Sequence, residues 1–126
     1  MFWPDPDAST DGTGFLTQVR CPPVRLYELF GWPELGDGHK VSGQYVFVNE
    51  KGDVFTVYDW EETYLYHGLG EGYPAPHEFW SDLAPADLRV GGRTGSDPQP
   101  FVKWLLEEVG RFDDPPQLVR VISPDY

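Results

Sequence analysis

The sequence is poor in the residues on which most small-domain chemistry depends. It holds one cysteine, Cys21, so no intramolecular disulfide can form and a cysteine-rich metal site is excluded. A single thiol suits a reducing cytosol. Of the three histidines, His39, His67 and His77, none stands in a zinc spacing such as HExxH or CxxC with a downstream HxxxH. There is no GxSxG nucleophile elbow and no GxxxxGK(S/T) phosphate loop. Nothing in the pattern calls for a metal or a cofactor. No run approaches the roughly 20 apolar residues of a membrane span. The opening MFWPDPDAST has neither a basic region nor an apolar run, unlike a signal peptide. These absences lead to the expectation of a soluble cytoplasmic protein. Basic residues are also scarce. Nine Lys and Arg stand against 21 Asp and Glu, giving a net charge of −12. The nine are scattered, which disfavours direct binding to nucleic acid. Such a chain is better suited to a partner with a basic surface, although the same charge also keeps a small protein in solution.

Aromatic residues are plentiful: five Trp, seven Tyr and eight Phe in 126 residues. The length fits one domain with a core that needs no staples. One small core cannot enclose all these rings, so some belong near the surface, where Trp and Tyr serve recognition.

Residues 40–60, KVSGQYVFVNEKGDVFTVYDW, predict a β-hairpin: two β-branched and aromatic runs flank Asn49-Glu50-Lys51-Gly52-Asp53. A type I turn with Gly52 in the left-handed region sets Val48 against Val54, Phe47 against Phe55, Val46 against Thr56 and Tyr45 against Val57. One face then carries Tyr45, Phe47, Phe55 and Val57, while the face with Gln44, Val46, Val48, Val54, Thr56 and Tyr58 is mixed. Residues 1–14, with Pro4 and Pro6, read as an irregular N-terminal arm docked by Phe2 and Trp3. Residues 14–21 read as a strand with Phe15, Thr17 and Val19 on one side. A short helix follows Pro22-Pro23 and stops at Gly31. Residues 32–40 and 61–76 read as loops, and residues 77–83 as one or two helical turns. Residues 85–90 suggest a third strand ended by Gly91-Gly92. Ser96 or Asp97 caps a helix over residues 98–109, with Phe101, Trp104 and Leu105 on its apolar stripe. Residues 118–122 are a last strand candidate. The order predicts one α+β domain over residues 1–126: an antiparallel sheet built on the central hairpin, with the C-terminal amphipathic helix packed on one face.

Two stretches are candidate working surfaces. Asp59, Trp60, Glu61, Glu62, Tyr64, Tyr66 and Tyr73 put carboxylates and amphipathic rings around one long loop, which suits a partner surface. Gly91, Gly92, Arg93, Thr94 and Ser96 form a glycine-rich passage from strand to helix. Free backbone N–H groups and a guanidinium there would hold a phosphate or nucleotide. A third reading sets Asp59, Glu61, Glu62 and His67 to acid–base work. Cys21, ahead of a helix start, is either a lowered-pKa thiol or a buried structural one.

The segments Val57-Tyr58-Asp59-Trp60-Glu61 and Asp87-Leu88-Arg89-Val90-Gly91-Gly92, with Leu29-Phe30-Gly31-Trp32-Pro33 before them, resemble a loose group of small phage-encoded proteins of uncharacterised function. In that group the hairpin closes with Tyr-Asp-aromatic-Lys and a later strand ends Trp-His-Ile-Gly-Gly. The likeness spans about residues 27–109. Glu61 stands where the group has Lys, and Leu88-Arg89 where it has Trp-His, so any ligand site that the group builds on those polar residues would be lost or altered here. The resemblance implies an α+β fold and a phage setting and carries no activity. Charge, rings and resemblance together give the leading expectation of a non-enzymatic acidic protein in the host cytoplasm. It would inhibit a host defence protein, such as a nuclease complex, by occupying a basic surface. The alternative is a small-ligand protein using the glycine-rich passage.

Overall fold

The computed structural model describes residues 1–111. The chain runs β1 (Phe2–Pro4), β2 (Thr13–Cys21), α1 (Pro23–Phe30), β3 (Glu34–Leu35), β4 (Gly43–Asn49), β5 (Val54–Tyr58), α2 (Tyr64–His67), α3 (Pro76–Trp80), β6 (Ala86–Arg93) and α4 (Gln99–Gly110). The strands make one six-stranded sheet in the order β1-β4-β5-β6-β2, with β3 also on β4. Every pairing is antiparallel. This is an α+β fold, as the sequence predicts. The strand candidate at residues 118–122 lies outside the described residues.

The β4–β5 hairpin takes the expected register, from Val48 opposite Val54 to Tyr45 opposite Val57, and adds Gln44 opposite Tyr58. Its turn is made by side-chain chemistry. The Asn49 side-chain oxygen accepts the N–H groups of Lys51 and Asp53, each at 3.0 Å. Gly52 adopts φ 81°, where only glycine is unstrained. Tyr45, Phe47, Phe55 and Val57 are all buried, with Leu88 and Val90 of β6 beside them. Phe101, Leu105 and Val109 of α4 belong to the same core, and the Phe55 and Phe101 rings stack at 5.0 Å. Leu26 of α1 completes this side at zero exposure. Trp104 is only half-buried, not enclosed with Leu105 as the stripe suggests. It lies over the core edge, 5.7 Å from Phe47 and 5.8 Å from Phe2.

Four expectations change. The N-terminal arm is not wholly irregular, because Phe2–Pro4 adds an edge strand to β4. Phe2 packs on Phe55, Phe101 and Trp104, and Pro4 is tolerated because an edge strand need not donate outward. The loop at residues 32–40 holds the two-residue β3, and the one at residues 61–76 holds the single-turn α2. Phe15 does not share a side with Val19. A bulge between Phe15 and Thr17 inserts one residue, which reverses the alternation, so Val19 is in the core while Phe15 is 52% exposed on the opposite face. Gly91-Gly92 does not end β6, because both glycines lie inside it, paired on each side. A Cβ at Gly92 would meet Leu16 at 2.6 Å and the Phe55 ring at 3.2 Å. The glycine is therefore a packing requirement of the sheet.

Residues 5–12 carry the chain from one edge of the sheet to the other. They pass over the face that α1 and α4 leave open, because Arg93, which shares that face with Arg89 and Gly91, donates to the Ser9 and Asp11 carbonyls at 3.2 and 3.3 Å. Val46, Val54 and Thr56 are buried on that face.

Candidate functional site

The loop after β5 begins from a buried anchor. Asp59 is fully buried. Its carboxylate accepts the Ser42 N–H at 2.8 Å, the Gly43 N–H at 3.1 Å and the Ser42 hydroxyl at 2.8 Å. The Trp80 indole N–H donates to the same hydroxyl at 3.1 Å. Burial pushes the Asp59 carboxyl above its ordinary value, with those donors opposing the rise. Asp59 is therefore no part of a contact surface, contrary to the sequence reading. The sequence shows an acid beside other acids but not the strand end whose two N–H groups need an acceptor. Gly43 is held in the same place: a Cβ there would meet Pro33 at 2.7 Å and the Trp80 indole nitrogen at 2.8 Å. Gly43→Ala should cost about 1–3 kcal/mol, read as a lowered urea midpoint. An unchanged midpoint would contradict this packing.

Beyond the anchor the loop turns outward. Glu61 sits at φ 59°, in the left-handed region, a strained conformation for a side-chain-bearing residue. Two bonds hold it there. Its N–H donates to the Lys40 carbonyl at 2.7 Å, and its carbonyl is 2.7 Å from His67 Nε2. Thr63 caps α2 through the Leu65 N–H, and the Tyr64 N–H closes the loop on the Pro74 carbonyl at 3.0 Å. The His67 and Tyr73 rings stack at 3.5 Å and 9°, and Tyr66 lies 5.0 Å from both His39 and His67. The sequence reads this stretch as a loop, and the structure makes it an ordered one. Tyr66 and Tyr73 are exposed at 38% and 45%, Leu69 at 80%, and Tyr64 is half-buried. Glu62, half-buried, has its carboxyl raised by burial first and then by the charges of Asp59 and Asp87.

The acid–base reading loses its geometry, since Asp59 is closed off by Ser42 and Gly43 and His67 Nε2 is committed to the Glu61 carbonyl. Among the described residues no group of three His, Cys, Asp or Glu side chains is placed to hold a metal ion. Cys21 is buried, and burial pushes its thiol up to about 11, the condition of a structural cysteine.

The glycine-rich passage is also spent on structure. The Gly91 and Gly92 backbones sit in ladders with β2 and β5. Arg93 is turned to the Ser9 and Asp11 carbonyls. At the start of α4 the Asp97 carboxylate accepts the Gln99 N–H at 3.0 Å, and Pro98 and Pro100 have no N–H to give. Thr94 and Ser96 line an open hollow of about 780 Å³ in which Glu50, Asp53 and Asp97 outnumber Lys51 and the Met1 ammonium, the latter already paired with Glu50.

One cluster went unread in the sequence. On the open face of the sheet Arg89 stands with its guanidinium carbon 4.7 Å from the Phe15 ring centre and 4.4 Å from that of Trp60. Lys40 Nζ lies 5.5 Å from the same Trp60 ring. The bulge that turns Phe15 over adds it to this cluster, and alternation alone gives no sign of it.

Among the described residues no helix is long and apolar enough to cross a membrane. The chain matches no protein-family model and no curated protein sequence.

Proposed function

We propose that the chain is a non-enzymatic interaction protein whose ordered acidic and aromatic loop, residues 60–73, docks on a basic surface of another protein. The observation that carries this reading is the closure of the loop on itself. With Tyr64 bonded to Pro74, His67 bonded to Glu61 and His67 stacked on Tyr73, the exposed Tyr66, Leu69 and Tyr73 are presented in fixed positions. Little conformational entropy is then lost on binding. Glu61, Glu62 and Glu71 surround them in a chain of charge −12, which suits a basic counterpart. Within this reading the contact set is Trp60, Glu61, Glu62, Tyr64, Tyr66 and Tyr73, without Asp59. The likeness to the phage-encoded group supports placing the target in a host cell, as a defence protein whose basic groove is occupied and so inhibited. The phosphate or nucleotide reading is weakened because Arg93 is bonded to the Ser9 and Asp11 carbonyls and the Gly91 and Gly92 backbones are paired in the sheet.

Affinity capture from a bacterial lysate, with mass spectrometry of what is retained, tests the proposal. The wild-type chain should retain a protein with a basic surface. Glu61→Lys with Glu62→Lys should retain at least about tenfold less, with circular dichroism confirming the fold of the variant because both residues are half-buried. Equal retention by both proteins would count against the loop. Calorimetric binding of a nucleotide, abolished by Arg93→Ala, would replace this reading with the ligand one.

A further inference from the structure

We propose that the open face of the sheet carries a binding site for a small oxyanion, a carboxylate or phosphate, centred on Arg89. Arg89 lies on β6 between Gln18 of β2 and Tyr58 of β5, so its cross-strand neighbours offer no negative charge. The nearest acid along its own face of β6, Asp87, is taken by Arg20 at 3.1 Å. Among the described residues Arg89 has ring contacts but no carboxylate or carbonyl partner. That is an unusual position for a guanidinium in a chain with 21 acids.

The rings decide how the charge is presented. Phe15 approaches from the β2 side and Trp60 from the β5 side, at 4.7 and 4.4 Å. Where rings cover the faces of a guanidinium, its N–H groups are left in the plane as a fork, and the proposed site requires that arrangement of Arg89. A fork of that shape accepts a carboxylate or a phosphate through two parallel bonds. Lys40, beside the same Trp60 ring, adds a second positive charge. The same face carries a cleft of about 200 Å³ lined by Thr13, Gln44, Thr56, Tyr58 and Gly91, among others; Arg89 is not in its lining and reaches it through its cross-strand neighbour Tyr58. The hydroxyl and amide groups of the lining would serve the rest of a small polar ligand. Gly91 keeps its floor open, since a Cβ there would press on the Thr56 hydroxyl at 2.5 Å. The Phe15 ring, 52% exposed, offers apolar cover at the rim. The site shares Trp60 with the docking surface but uses neither Glu61, Glu62 nor the loop tyrosines, so loss of capture in Glu61→Lys with Glu62→Lys and loss of anion binding in Arg89→Gln are separate outcomes.

The test is a titration of the isotopically labelled full chain with sodium phosphate and, separately, sodium acetate. Sodium chloride holds the ionic strength constant, and the Arg89 Nε–H and Trp60 Nε1–H resonances are followed. Saturable shifts of both signals are expected with at least one of the two anions, and the anion that saturates names the ligand chemistry. Arg89→Gln should abolish saturation. Arg89→Lys, which keeps the charge and loses the fork, should bind about tenfold more weakly. Shifts that never saturate with either anion would overturn the site, as would saturation of equal strength in Arg89→Gln. Should Arg89→Gln fail to fold, Arg89→Lys carries the comparison, and equal affinity in that variant would overturn it.

Discussion

Leu105→Ala should lower the unfolding free energy by about 2–5 kcal/mol, with an enlarged cavity where α4 meets the sheet. Leu105 has zero exposure and lies one turn from both Phe101 and Val109 on the buried stripe of α4. The surrounding core is largely aromatic. Phe55 and Phe101 are stacked, and Phe47 meets Phe101 at 5.2 Å and Trp104 at 5.7 Å. Flat rings in mutual contact cannot move into a leucine-sized void without breaking other contacts, so the cost belongs in the upper part of the range. Leu106, the next residue, is 42% exposed and should cost no more than about 0.5 kcal/mol when cut to alanine. Urea unfolding of the two variants reads the contrast directly. Equal losses would mean that α4 does not present this face to the sheet.

Asp59→Ala should cost a comparable amount, about 3–5 kcal/mol, for a different reason. It removes no large apolar surface. It leaves the buried N–H groups of Ser42 and Gly43 without an acceptor, at about 1–3 kcal/mol each, and frees the Ser42 hydroxyl that links Asp59 to Trp80. Asp59→Asn retains one acceptor oxygen for the two N–H groups and should cost less than half as much. The pair also has a pH signature. Because burial raises the Asp59 carboxyl, the native chain takes up this proton before the unfolded chain as the pH falls. The group thus adds stability that is present below the unfolded value, about 3.9, and is lost as the pH rises through the native one. The difference in unfolding free energy between wild type and Asp59→Asn should move in favour of wild type from about pH 7 to about pH 4. A difference that moves the other way would mean that the three donors outweigh burial.

The hairpin was legible because both of its determinants are local: alternation on two runs, and an Asn–Gly turn whose side-chain bonds span four residues. The C-terminal helix was legible for the same reason. What escaped depends on partners distant in sequence. Phe2 becomes part of a strand only because Phe55, Phe101 and Trp104 receive its ring. Gly91 and Gly92 look like a turn until β2 and β5 are placed on either side of them. The acids at the hairpin end are alike in sequence, yet Asp59 closes a strand end in the core while Glu61 and Glu62 are half-buried, a distinction that depends on Ser42 and Trp80. The exposure of Tyr66 and Tyr73 was legible in the excess of rings over core, but the bonds that order their loop were not. Arg89 was missed because a single inserted residue in β2 sets the side on which Phe15 lies.

The central claim is that an acidic, pre-ordered loop meets a basic surface. Its most direct measurement is the association rate of the chain with its captured partner as a function of salt. That rate should fall steeply as the Debye length shortens from about 30 Å at 0.01 M to about 8 Å at 0.15 M. Glu61→Lys with Glu62→Lys should start slower and respond less to salt. A rate indifferent to salt, and equal in the two proteins, would contradict it.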